Sequence, residues 1–263
     1  MSTGDQGLAR RFSRAAADYH VLTELQRLVA NRLAGLLDPQ PRPGKILEIG
    51  CGTGHFTRLL RGRFPDARIW ATDIAAGMID RARVAVPDQA VTWVVADARR
   101  ELPPEDFDVI AGSSSLHWLA PLEPLFARLH RQLLPGGRLV FALMCEGSLR
   151  ELRQSRRRVA PHKEPRARLV STGEVTFALA GAGLALEILE EEATVQRHRD
   201  AAAFLADLHR QGVTGGDFSR GAAPLTRGEI KALIADYDAR APHPDGGVRA
   251  SYEVLYVRAR RPA

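Results

Sequence analysis

The segment Leu47-Glu48-Ile49-Gly50-Cys51-Gly52-Thr53-Gly54 constrains the fold of this chain more than any other. A short apolar strand, KILEIG at 45–50, runs into glycines at three alternate positions and then into the helical stretch HFTRLLRGRF. Glycine lets a backbone bend sharply and lets a ligand approach without a Cβ in the way. In an open α/β sheet, ligands bind at the carboxyl ends of the strands, where this turn would lie. The spacing G-x-G-x-G departs from the dinucleotide fingerprint G-x-G-x-x-G, whose last glycine falls here on His55. It also lacks the G-K-[ST] ending of a phosphate-binding loop.

The same alternation continues downstream. RIWATDI (68–74), VTWVVADA (91–98), FDVIAGSSS (107–115) and GRLVFALM (137–144, after the turn Pro135-Gly136-Gly137) are apolar strand runs, most of them separated by helical patterns. Near-continuous apolar strands at βαβ spacing indicate a parallel sheet covered on both faces. Upstream, Leu22, Leu25, Val29, Leu33 and Leu36 share one face of a helix predicted over 12–37. Downstream, 146–170 reads as helical and basic, 171–184 as a helix, LALEILEEEATVQ (184–196) as a strand, 198–240 as two helices around a glycine-rich stretch, and SYEVLYVRARR (251–261) as the final strand. A chain of 263 residues with 45% hydrophobic composition suits a single domain spanning 1–263. No apolar run approaches the roughly 18–20 residues of a membrane span, and the N-terminus lacks the apolar core of a secretory signal. Cytoplasmic residence is the expectation. Two cysteines, Cys51 and Cys145, make neither a disulfide framework nor a metal site by themselves.

Three acids stand at three adjacent strand tips: Glu48, Asp73 and Asp97. A carboxylate at Glu48 would repel a pyrophosphate and suit a cation. Asp73 can accept from two ribose hydroxyls, and Asp97 lies within reach of a purine amine. S-adenosylmethionine carries a cation, a ribose and a purine amine. Together, E-I-G-C-G-T-G, T-D-I, A-D-A and L-L-P-G-G over 44–145 resemble the class I S-adenosylmethionine-dependent methyltransferases. The resemblance implies an α/β, Rossmann-like, seven-stranded, mostly parallel sheet whose last strand is antiparallel. It further implies that Glu48, Gly50, Gly52 and Gly54 hold the methionine moiety. Asp73 takes the ribose, Ile74 and Met78 flank the adenine, Asp97 and Ala98 contact its edge, and Ser113 lies near the transferred methyl.

The flanks are similar to the malonyl-carrier-protein O-methyltransferases of biotin synthesis: Phe12-Ser13-Arg14-Ala15-Ala16-Ala17-x-Tyr19, Leu116-His117-Trp118-Leu119, Glu146-Gly147-Ser148-Leu149, Leu208-His209-Arg210-Gln211-Gly212 and Tyr252-Glu253-Val254. This likeness implies transfer to the carboxylate of a malonyl thioester, on acyl carrier protein or coenzyme A, with S-adenosylhomocysteine as the other product. Another small acid or a hydroxyl is the alternative acceptor within the same fold. On this reading 12–37 is a helical lid, and 146–183 and 198–250 are substrate or partner helices. Tyr19 and Gln26, seven residues apart on one helix face, grip the acceptor with His117 and Trp118. Tyr19 and His117 are the candidate catalytic groups, and His20 and His117 would matter most if the acceptor needed a base.

Charge adds a partner expectation. The segment Arg150–Arg168 carries eight basic residues against two acidic ones, an excess equal to the net charge of +6 of the whole chain. Arg150, Arg153 and Arg157 align at helical spacing and are candidates for docking an acidic acyl carrier protein. The run lacks the interleaved aromatics of a nucleic-acid surface. A monomer with no nucleic-acid or membrane partner is the expectation.

Overall fold

The computed structural model describes residues 3–19, 23–38, 42–165, 167–214, 221 and 223–263. Among these, Thr3–Ala15 (α1) and Glu24–Gly35 (α2) precede Lys45–Ile49 (β1), His55–Arg63 (α3), Arg68–Asp73 (β2), Ala76–Ala85 (α4), Val91–Val95 (β3) and Phe107–Ser113 (β4). There follow Leu122–Gln132 (α5), Leu133–Met144 (β5), Arg150–Val159 (α6), Thr172–Gly181 (α7), Ala185–His198 (β6), Ala201–Arg210 (α8), Arg227–Arg240 (α9) and Val248–Arg260 (β7). The strands form one sheet in the order β3-β2-β1-β4-β5-β7-β6. Pairing is parallel from β3 through β5, and β7 runs antiparallel to both neighbours.

Alternation along each strand feeds two cores. Ile46, Ile69, Val109 and Val140 point to one face, under Leu25, Val29 and Leu33 of α2 and Phe56 and Leu60 of α3. Leu47, Ile110, Leu139 and Phe141 point to the other, under Leu125, Phe126 and Leu129 of α5 and Val175 and Leu179 of α7. Edge strand β6 is protected by charge: its Glu187 meets Arg258 and Arg260, and its Glu190 meets Arg32.

Two expectations change. The helix expected over 12–37 is two helices, broken between Ala15 and Glu24. The cause is tertiary. The first helix lies on α4, where Gly77 N–H donates to Ser13 Oγ at 3.2 Å and Arg81 donates to the Ala17 carbonyl at 2.9 Å. The second packs into the sheet core. Of the predicted helix face, Leu22 lies outside the described residues, as do His20, Arg166 and 215–220 of the glycine-rich stretch. The second change is Pro135-Gly136-Gly137. It is not a turn ahead of the fifth strand but an irregularity inside β5, where pairing with β4 jumps from Phe107↔Leu133 to Val109↔Arg138.

Candidate active site

The carboxyl ends of β1 to β4 open into a cleft. Its floor is the glycine turn. Gly50 and Cys51 both donate to the Thr72 carbonyl, at 2.8 and 2.9 Å, which ties β1 to β2. The next donor, Gly52 N–H, reaches the Asp73 carboxylate at 3.0 Å, and Ala75 N–H reaches its other oxygen at 2.8 Å. These bonds aim Asp73 into the cleft. Burial lifts its pKa to about 6, so it is ionised at neutral pH. Gly50 and Gly52 both have positive φ, and a Cβ on Gly50 would lie 2.3 Å from the Ser115 Cβ. The turn therefore has no room for a side chain where it meets the end of β4.

Asp73, Ile74, Met78, Asp97, Ala98, Gly50, Gly52 and Ser113 all line this cleft, as do Tyr19, Gln26 and Trp118. Asp97 is nearly saturated from its own side. It accepts from the Arg99 backbone N–H at 3.1 Å and from Arg99 Nε and Nη2 at 2.9 and 3.0 Å. Arg128 of α5 fastens this turn by donating to the Ala98 and Arg99 carbonyls. Tyr19 and Gln26 both face the cleft although they do not share a helix. Tyr19 lies across from Gly52, and burial with the nearby Asp73 charge pushes its phenol pKa up. Phe12 packs edge-on against Tyr19 and Trp118, with centroids 6.4 and 5.5 Å apart, so α1 contributes an aromatic cover.

Three candidates stand elsewhere. Glu48 is 1% exposed and lies outside the cleft wall, its Oε2 accepting from Thr57 Oγ1 at 2.6 Å. Burial raises its pKa to about 8, so at neutral pH it is largely uncharged and does not supply the anion expected at that strand tip. Gly54 is also outside the wall. A Cβ there would lie 3.2 Å from Ala82 Cβ, so this glycine serves the packing of α3 on α4. His117 is buried behind Trp118, with Nδ1 3.4 Å from the Met144 N–H, and burial holds its pKa near 3. His117 thus stands off the cleft wall, and its lowered pKa makes it a weak proton acceptor.

Other wall residues were not singled out by the sequence. Leu8, Thr23, Arg27, His55, Arg99 and Ser114 line the cleft. The triple Ser113-Ser114-Ser115 after an apolar strand was the available signal for Ser114. The basic run also changes in space. Arg158 pairs with Asp236, Lys163 with Glu229, Arg168 with Glu174, and Arg157 with Glu164. Arg153 donates to the Ser148 and Glu146 carbonyls and so holds the loop before α6. Asp236, Glu229 and Glu174 come from other segments and answer part of the excess seen along the chain, whereas Glu164 belongs to the run itself. Arg150 and Arg157 remain about half and two-thirds exposed.

Comparison with known proteins fits this geometry. Residues 47–141 match the family model described as "Methyltransferase domain". The malonyl-[acyl-carrier protein] O-methyltransferase of Geobacter sulfurreducens is 33% identical over 260 residues, covering 95% of this chain and 96% of that protein. That of Laribacter hongkongensis is 32% identical, covering 96% and 88%. The chain belongs to the malonyl-[acyl-carrier protein] O-methyltransferase family. Among solved structures, an S-adenosylmethionine-dependent methyltransferase from Mesorhizobium loti superposes with a TM-score of 0.53 at 23% identity, covering 88% of this chain and 96% of that one, and supports the fold.

Proposed function

We propose that this enzyme methylates the free carboxylate of a malonyl group carried on acyl carrier protein, giving the methyl ester used on the route to biotin. The end-to-end similarity to carrier-protein O-methyltransferases, which includes the helices covering the cleft, carries this reading. The fit of the cofactor rests on the cleft itself. Asp73 would accept from the ribose hydroxyls, Ile74 and Met78 would flank the adenine, and Asp97 with Ala98 would lie along its edge. At Gly52 the Cβ position meets only Tyr19, at 3.9 Å, which leaves room for the aminoacyl end. When bound, S-adenosylmethionine supplies an electrophilic methyl on a sulfonium.

The residues have little proton chemistry to do. An acceptor carboxylate with a pKa of about 4 is already ionised at neutral pH. With S-adenosylmethionine bound, one of the carboxylate oxygens would take the methyl as the S–CH₃ bond broke, the electron pair remaining on sulfur, so the protein has only to align the two. The products are a neutral ester and S-adenosylhomocysteine, and no proton moves. Catalysis then rests on alignment and exclusion of water. Phe12, Tyr19 and Trp118 supply an apolar cover, and Tyr19 and Gln26 supply polar contacts for the acceptor. Tyr19 and not His117 is the catalytic candidate that fits. The enzyme works as a cytoplasmic monomer on an acidic carrier protein that approaches Arg150 and Arg157. No helix among the described residues is long and apolar enough to cross a membrane.

The test is transfer of labelled methyl to malonyl-carrier protein, malonyl-coenzyme A and free malonate. Both thioesters should accept methyl well above free malonate, the carrier protein best. Cofactor binding without transfer to either thioester would move the acceptor to another small acid or hydroxyl.

A further inference from the structure

The turn Ser113-Ser114-Ser115 closes β4 at the point where it meets the glycine turn. Ser115 is committed, its Oγ donating to the Ile49 carbonyl at 2.6 Å. Its neighbours are not. The Oγ atoms of Ser113 and Ser114 are buried and have no hydrogen-bond partner among the described residues, yet both residues line the cleft. A buried hydroxyl left unpaired costs about 1–3 kcal/mol. Ser114 carries a second cost. Its φ is 54°, in the left-handed region, where among the described non-glycine residues only Leu149 joins it. Glycine would occupy that backbone without strain, so the side chain is retained against the local preference. Strain and an unpaired polar atom on one residue of a ligand cleft point to a role in binding.

The surroundings indicate what is bound. The serine turn lies against Gly50 on one side and leads into Trp118 on the other, and Trp118 meets Phe12. Two neutral donors thus border an apolar cover. Neutral donors suit an anionic oxygen that must stay nucleophilic, because a tight cationic partner would stabilise the carboxylate more than the uncharged ester that it becomes. We propose that the Ser113 and Ser114 hydroxyls donate hydrogen bonds to the terminal carboxylate of the acceptor and select acyl groups that carry one. This inference rests on the carboxyl-methylating reading above.

The experiment uses the full chain saturated with S-adenosylhomocysteine and measures binding of malonyl-carrier protein and acetyl-carrier protein, which lacks the terminal carboxylate. Wild-type protein should prefer the malonyl form. Ser114→Gly and Ser113→Ala should each reduce that preference roughly three- to tenfold and lower kcat/KM for malonyl-carrier protein by a similar factor. Affinity for S-adenosylhomocysteine should hold, and the melting temperature of Ser114→Gly should stay or rise because the strain is relieved. An undiminished malonyl preference in both variants, or an equal loss for malonyl and acetyl forms, would overturn the inference. If Ser114→Gly fails to fold, Ser113→Ala decides alone. Failure of the wild type to methylate malonyl-carrier protein would appear before any variant is made. It would remove the functional reading and this inference with it.

Discussion

Glu48 sits beneath the glycine turn with its carboxyl against Thr57 and its backbone carbonyl accepting from Thr72 Oγ1 at 2.9 Å. Burial raises its pKa from an ordinary 4.5 to about 8, and the Asp73 charge adds to the rise. The sign of the consequence is fixed by linkage. Between those two values the unfolded chain gives up a proton that the folded chain keeps. Stability therefore falls as pH climbs through that window, by up to about 1.4 kcal/mol per pH unit. Glu48→Gln removes the titration and keeps an acceptor for Thr57. The variant should exceed wild type in urea-unfolding stability at pH 7.5, and the gap should narrow steadily toward pH 5. Parallel stability curves from pH 5 to 8 would mean that Glu48 ionises like an exposed glutamate. At this scale the sequence identified the acids but not their states. Asp73 and Asp97 reach the cleft because their strands end at its wall, whereas Glu48 is one residue short of the turn and its side chain falls among buried neighbours. Nothing in the spacing of these three acids distinguishes the two cases. The same holds for His117, whose position beside Trp118 says nothing of which ring faces the cleft.

The sheet elements were legible because buried parallel strands are apolar throughout, and every such run forms a strand. The N-terminal helices were less so. Spacing over Leu25, Val29 and Leu33 is helical and α2 obeys it, but no glycine or proline marks the break before it. That break exists because α1 has a different partner. Its contact with α4 is made possible by Gly77, where a Cβ would lie 2.8 Å from the Ser13 carbonyl oxygen. Gly77→Ala should improve the intrinsic helix propensity of α4 by roughly 0.5–1 kcal/mol while forcing α1 away. The expected outcome is a near-constant melting temperature, faster hydrogen exchange of the α1 amides, and a raised KM for the malonyl acceptor, since Leu8 and Phe12 leave the cleft wall with α1. Unchanged exchange in α1 would show that the helix adapts in place. Faster exchange with an unchanged KM would show that α1 is not part of the acceptor site.

For the whole molecule, charge is where linear and spatial readings differ most. A run with the entire excess of the chain folds so that Asp236 and Glu229 of α9, Glu174 of α7 and Glu253 of β7 each meet one of its cations. The exposed pairs among these, such as Arg168–Glu174, are weak and screened by salt, whereas Lys163–Glu229 is largely shielded from solvent. They also sort the three aligned arginines. Arg153 is spent on two backbone carbonyls, whereas Arg150 and Arg157 keep exposed heads on α6, the helix that follows β5. Rim charges of this kind act mainly on encounter rate and on salt dependence. Reversing both, Arg150→Glu with Arg157→Glu, should raise KM for malonyl-carrier protein about tenfold at low salt and leave malonyl-coenzyme A nearly unaffected. The wild-type KM for the carrier protein should climb with added salt until the two proteins converge. Arg153→Ala should instead disturb the Glu146–Leu149 loop and lower turnover of both acceptors alike. If reversal of Arg150 and Arg157 harms both acceptors equally, or neither, the carrier protein approaches the cleft by another face.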